Sequence, residues 1–114
     1  MEPSLEDILL ELTGDISGSL SAIRGFAEPK SVRIIAPCLS SLQDGMKRLE
    51  SLEGRLSTLT ENQLRAELIT VVRNLIRTFD QLKRSNQVEL SWYEGESGSG
   101  IPPALSKARE ILGL

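Results

Sequence analysis

The sequence predicts a mainly α-helical domain built as a bundle, with one short strand and a short C-terminal helix. Three observations predict it. Apolar residues recur every three or four positions through three long segments, the period of a helix with one buried face. Strict alternation, the period of a strand, occurs only once, near residue 90. The chain has 114 residues, 39% hydrophobic and 25% charged, enough for one compact core and one domain spanning 1–114.

The first segment runs from residue 3 to about residue 28. Leu5, Leu9, Leu12, Ile16, Leu20, Ile23 and Ala27 form its stripe. Pro3 suits a helix start, where its missing N–H has no partner to lose, and Glu6 and Asp7 suit the positive end of the helix dipole. Pro29 closes the segment, because the residue before a proline is pushed away from helical angles. Gly14 with Asp15 could end one helix and cap another, but the continuous stripe favours one long helix. Residues 29–36 read equally as a helix capped by Ser31 or as an extended link. From Pro37 the stripe resumes at Leu39, Leu42, Met46, Leu49, Leu52, Leu56 and Leu59. Its two successive steps of three break a strict heptad, which favours a bundle helix over a long zipper.

Thr60-Glu61-Asn62-Gln63 is a capping box, and the helix it opens ends near Lys83-Arg84. Leu64, Leu68, Val71, Leu75, Phe79 and Leu82, widened by Ile69, Val72 and Ile76, cover about 160° of that helix, more than one neighbour needs. The arc of Ile69, Val72 and Ile76 is therefore expected to lack cover within one chain and to bring two chains together as a homodimer. Val88, Leu90 and Trp92 alternate with Glu89, Ser91 and Tyr93 as a short strand, making 61–93 a helix-and-strand unit. Residues 94–101 form a polar, glycine-rich linker, and Pro102-Pro103 opens the last helix, 102–114.

Composition removes whole classes of chemistry. There is no histidine, so no imidazole base, no His-activated nucleophile, no phosphohistidine and no His-ligated metal. Cys38 is the single cysteine, so neither an internal disulfide nor a thiolate zinc cluster can form. Lys and Arg number 13 against 16 Asp and Glu, a net charge of −3 that argues against a general grip on nucleic acid or anionic membrane. The absence of a long apolar run and of a basic-then-apolar start adds the expectation of a cytoplasmic, non-catalytic protein without a cofactor.

Few constellations survive comparison with plainer readings. Gly95, Gly98 and Gly100 are flanked by Glu94 and Glu96, which would repel phosphate, so a loop is the better reading. Arg73, Arg77 and Arg84 share one outer face of the third helix, laced with Glu67 and Asp80; a solvated face is the plainer reading, and an acidic partner surface or a nucleic-acid backbone also fits. Glu50 with Glu53 and Glu6 with Asp7 lie on polar faces and read as solvating residues. Cys38 has no activating base and reads as a small core residue. Gly14, Gly18, Ser21 with Ala22, and Gly25 place small residues on the side of the first helix opposite its apolar stripe. Glycines there cost about 1 kcal/mol each relative to Ala, so either the helix is broken or frayed there or bare backbone admits another surface, which makes Gly18, Ser21, Ala22 and Gly25 the candidate partner-binding residues.

Asp15-Ile16-Ser17 and Leu20-Ser-Ala-Ile-Arg-Gly-Phe-Ala-Glu28 together resemble the first helix of the dimerisation and phosphoacceptor domain of bacterial sensor histidine kinases. In that family the phosphoacceptor His and a short Pro-containing stretch lie between the two elements; here only Gly18-Ser19 does. Leu42-Gln-Asp-Gly-Met-Lys-Arg-Leu49 to Leu59 is similar to the family's second helix. Residues 64–69 through Val88-Glu89-Leu90, and 101–105 to Ile111-Leu112, are similar to the start of the kinase ATP-binding domain, without its asparagine-containing box. The resemblance implies that 3–60 is an antiparallel helical hairpin pairing into a four-helix core across a dimer. Its core would include Leu12, Ile16, Leu20, Ile23, Leu42, Met46, Leu49, Leu52 and Leu56. It further implies docking of a response-regulator receiver domain by a copy that neither accepts phosphate nor binds ATP. The expected function is thus an adaptor or inhibitor in two-component signalling; the alternative is a helical structural subunit or secretion-type chaperone of a larger assembly.

Overall fold

The computed structural model describes residues 4–89 and 101–114, and within them it is helical. The elements are α1 (Leu5–Phe26), α2 (Pro29–Ile34), α3 (Ala36–Gly54), α4 (Glu61–Ser85) and α5 (Pro103–Ile111). α1 starts from a reciprocal cap. The Asp7 N–H donates to Ser4 Oγ at 3.2 Å, and the Ser4 N–H donates to Asp7 Oδ2 at 3.4 Å. The helix runs unbroken through Gly14, as its stripe favours. Ser19 is buried on it without penalty because its hydroxyl donates to the Asp15 carbonyl at 2.8 Å.

Residues 29–34 are helical, which decides the open reading of that stretch: Pro29 opens α2, and Pro37 lies in the first turn of α3. α3 stops at Gly54, so Leu56 and Leu59 follow it in a turn where the Thr58 hydroxyl donates to the Arg55 carbonyl. The Thr60–Gln63 capping box forms in both directions, at 3.1 and 2.9 Å. α4 ends at Asn86, whose left-handed φ of 56° terminates the helix beyond Lys83 and Arg84.

Two expectations change. Among the described residues there is no strand. Val88 is buried in the helical core, and the remainder of the predicted strand, residues 90–93, lies outside the described residues, as do 94–100 of the predicted linker. A short alternation with no ladder partner carries little strand information, since its backbone groups need pairing.

The second change concerns the four-helix core, which closes within one chain. α1 packs on α3 and α5, and α4 packs on α3 and α5, so the four helices ring one core. Val72 is 0% exposed, and Ile69 and Ile76 are half-buried against the core, so the arc predicted to await a second chain is largely covered. α5 packs on α4 and buries Ala104, Leu105 and Ala108 in the same core. Its nine residues would be marginal as an isolated helix and hold through tertiary contacts.

The docking of α5 explains Asp15. Pro102 occupies the cap position of α5 and offers no side-chain acceptor, so the helix cannot cap itself. The missing acceptor comes from α1: the Ala104 N–H donates to Asp15 Oδ2 at 3.0 Å. The carboxylate also faces the positive end of the α5 dipole. One turn further along, Lys107 Nζ lies 3.3 Å from Glu11 Oε2, a half-exposed pair that adds orientation more than energy.

Candidate interaction surfaces

The residues predicted for the core converge. Leu12, Ile16, Leu20 and Ile23 from α1, Leu42, Leu49 and Leu52 from α3, and Val72 from α4 are buried in one cluster. Met46, Leu56, Ile69 and Ile76 are partly buried against it. The candidate partner-binding residues point the other way. Gly18, Ser21 and Gly25 are exposed and Ala22 is half-buried. A Cβ added at Gly14, Gly18 or Gly25 would meet nothing within 4 Å, so bare backbone faces open space along this side of α1. Leu10, 52% exposed, lies one turn before Gly14 on the same side. At the other end are Phe26, 71% exposed, and Ile34 of α2, 53% exposed. Arg24 is steered away from this face by donating to Gln43 Oε1 of α3 at 3.3 Å.

Two structural residues escaped the sequence reading. Gly45 is buried where α3 crosses α4; a Cβ there would lie 2.8 Å from Leu75 Cδ2. Its signal was present, since Gly45 stands on the apolar stripe between Leu42 and Leu49. Asp15 carries a local capping signal and opens the kinase-like element, but its partner in the fold is 89 residues away, a separation that local patterns do not encode.

The polar features divide among three clefts. A groove of about 290 Å³ between α3 and α4 is lined by Asp44, Arg48, Asn74 and Arg77 around Gly45. A second, of about 490 Å³, lies between α4 and α5, with Arg73, Arg77 and Arg109 at its rim. The third, also about 490 Å³, holds Leu10, Gly14 and Lys107 beside the Asp15 cap. Arg84 pairs weakly with Asp80 at 3.9 Å, both well exposed, as expected of a solvated face. Of the carboxylates weighed earlier, Asp7 serves the α1 cap, while Glu6 and Glu50 are exposed. Cys38 is half-buried with Sγ 3.8 Å from Gln81 Oε1, and burial pushes its thiol pKa above the usual value, away from nucleophilic use. Among the described residues no group of three or more His, Cys, Asp or Glu could hold a metal, and no helix is long and apolar enough to cross a membrane.

No protein family, curated protein or solved structure matches this chain.

Proposed function

We propose that this chain is a non-catalytic protein-interaction module whose α1 outer face receives a signalling partner, with the chain acting as an adaptor or inhibitor. The observation that carries the reading is the open side of α1: exposed Gly18, Ser21 and Gly25 present bare backbone, with exposed Leu10 and Phe26 at its two ends. Another helix can approach such a face closely, and apolar ends add desolvation energy to the contact. The partner class comes from the resemblance of 15–28 to the first helix of the histidine-kinase dimerisation domain, which implies a receiver domain. Within that resemblance Leu20 and Ile23 serve this chain's core, Asp15 caps α5 and Arg24 turns to Gln43, leaving Ser21 and Gly25 for contact.

The reading as a structural subunit or chaperone drew on an uncovered arc at Ile69, Val72 and Ile76. With Val72 buried and α5 packed on α4, that arc favours it less.

The test is titration of purified receiver domains against the chain and its Ser21→Arg variant, with masses read by light scattering. Saturable binding in the micromolar range, about 1–100 μM, that Ser21→Arg weakens at least about tenfold while the melting temperature holds, supports the proposal. Failure of every receiver domain to bind, or equal binding by Ser21→Arg, overturns it.

A further inference from the structure

The groove between α4 and α5 combines an apolar floor with a cationic rim. Its floor is apolar: Ile76 from α4, Ile101 ahead of α5, and Leu114 beyond it. Its rim is cationic. Arg73 and Arg77 stand one turn apart on α4, and Arg109 faces them from α5. The Arg109 Nε–H donates to the Leu114 carbonyl at 3.2 Å, which ties that guanidinium to the rim. Asp80 is the one acidic side chain lining the groove among the described residues, and Arg84 lies 3.9 Å from it. In a chain of net charge −3 this is a local reversal of sign, with three arginines around a cleft of about 490 Å³.

We propose that this groove docks an acidic peptide segment of a partner protein, carrying one apolar or aromatic anchor residue between its carboxylates. Charge complementarity selects the occupant. Arginines match carboxylates in bidentate geometry, and rim charges steer an acidic segment to the cleft. The apolar floor selects against a nucleic-acid backbone, which would leave Ile76, Ile101 and Leu114 without a partner surface. An anchor side chain seated on the floor supplies the desolvation that rim ion pairs alone lack. This site lies on other helices than the α1 face, so either can fail without the other.

The probe is a fluorescein-labelled peptide of about ten residues, Asp and Glu flanking a single central Trp, an extended length that spans a groove of this kind. Anisotropy should report saturable binding with Kd of roughly 10–100 μM at low salt, weakening several-fold between about 50 and 200 mM NaCl as rim charges are screened. Arg73→Glu with Arg77→Glu should weaken it at least about tenfold, and Arg109→Glu by a similar factor. Ser21→Arg should leave it unchanged. The substituted arginines are exposed, so circular dichroism melting should be preserved; if charge reversal unfolds the chain, Arg73→Gln with Arg77→Gln serves instead. A probe with Ser in place of Trp should bind at least several-fold more weakly. Absence of saturable binding, indifference to the arginine substitutions, or equal binding of the Trp-free probe overturns the proposal. So does stronger competition by a single-stranded oligonucleotide of equal charge. A doubled mass that Arg73→Glu with Arg77→Glu abolishes would assign the groove to a second copy of this chain and overturn it as well.

Discussion

Gly18 of α1 and Gly45 of α3 both sit inside long amphipathic helices, where glycine is unfavourable by about 1 kcal/mol relative to alanine. Their surroundings are opposite. Gly45 is buried at the α3–α4 crossing, and a Cβ would come within 2.8 Å of Leu75 Cδ2. Gly18 is exposed, and a Cβ would meet nothing within 4 Å. One glycine therefore meets the fold itself, because a Cβ at Gly45 would have to displace the end of the Leu75 side chain. The other is not explained by any contact the chain makes with itself. A glycine that weakens a helix without easing internal packing is a place to look for an external surface, and that contrast separates the α1 face from the α3–α4 seam.

The sharpest way to break the comparison is to crowd the seam. Gly45→Val adds a β-branched side chain against Leu75, which is 1% exposed and whose δ-methyl would have to shift. The expected loss is about 2–3 kcal/mol from overpacking, read as a lower denaturation midpoint with an unchanged slope. A Gly45→Val protein as stable as the original would mean that the close approach is not needed. Next in size is Asp15→Ala, which removes the acceptor that caps α5 from α1. Losing a cap costs about 1–2 kcal/mol, and the loss should be local. Amide hydrogen exchange should quicken in α5 while the α3–α4 seam keeps its protection. Asp15→Asn, which retains an acceptor oxygen without the charge, should cost less than Asp15→Ala. Equal and global loosening from both variants would remove the special role of the cap.

Much of the fold was legible because it follows from short-range patterns. The period-3.6 stripes located α1, α3 and α4, and the Thr60–Gln63 capping box placed the start of α4 at the residue where it forms. What stayed hidden was long-range. The stripe of Ala104, Leu105 and Ala108 was visible, but nothing local says that so short a helix completes the core over Val72. The four-helix core across a dimer is what the resemblance of 3–60 to a paired hairpin implies. The same reason hid the Asp15 cap: Gly14-Asp15 carries a real local capping signal, and the helix it caps begins 88 residues later, at Pro103. The small residues at Gly18, Ser21 and Gly25 were found as a stripe from spacing alone. Whether the fold itself used them was a question of packing, and the open space around Gly18 and Gly25 answers it.

The smallest expected effect has the opposite sign and tests the comparison most directly. The same exchange, glycine to alanine, should be made at both sites. At Gly18 the added methyl enters open space on a continuous helix, so only propensity and the reduced freedom of the unfolded chain act. Both favour the folded state, by up to ~1 kcal/mol in total. At Gly45 the same propensity gain is set against crowding of Leu75, worth about 1–3 kcal/mol, so the net change should be a loss or close to zero. Thermal unfolding of the two variants side by side reads the difference, and their ordering matters more than either value. Should Gly18→Ala destabilise the chain, Gly18 would be serving a backbone or packing need inside α1, and the reason for assigning that face to a partner would be gone. Should it stabilise the chain, the wild-type residue is held at some cost to folding, which is the signature expected of a surface kept open for contact.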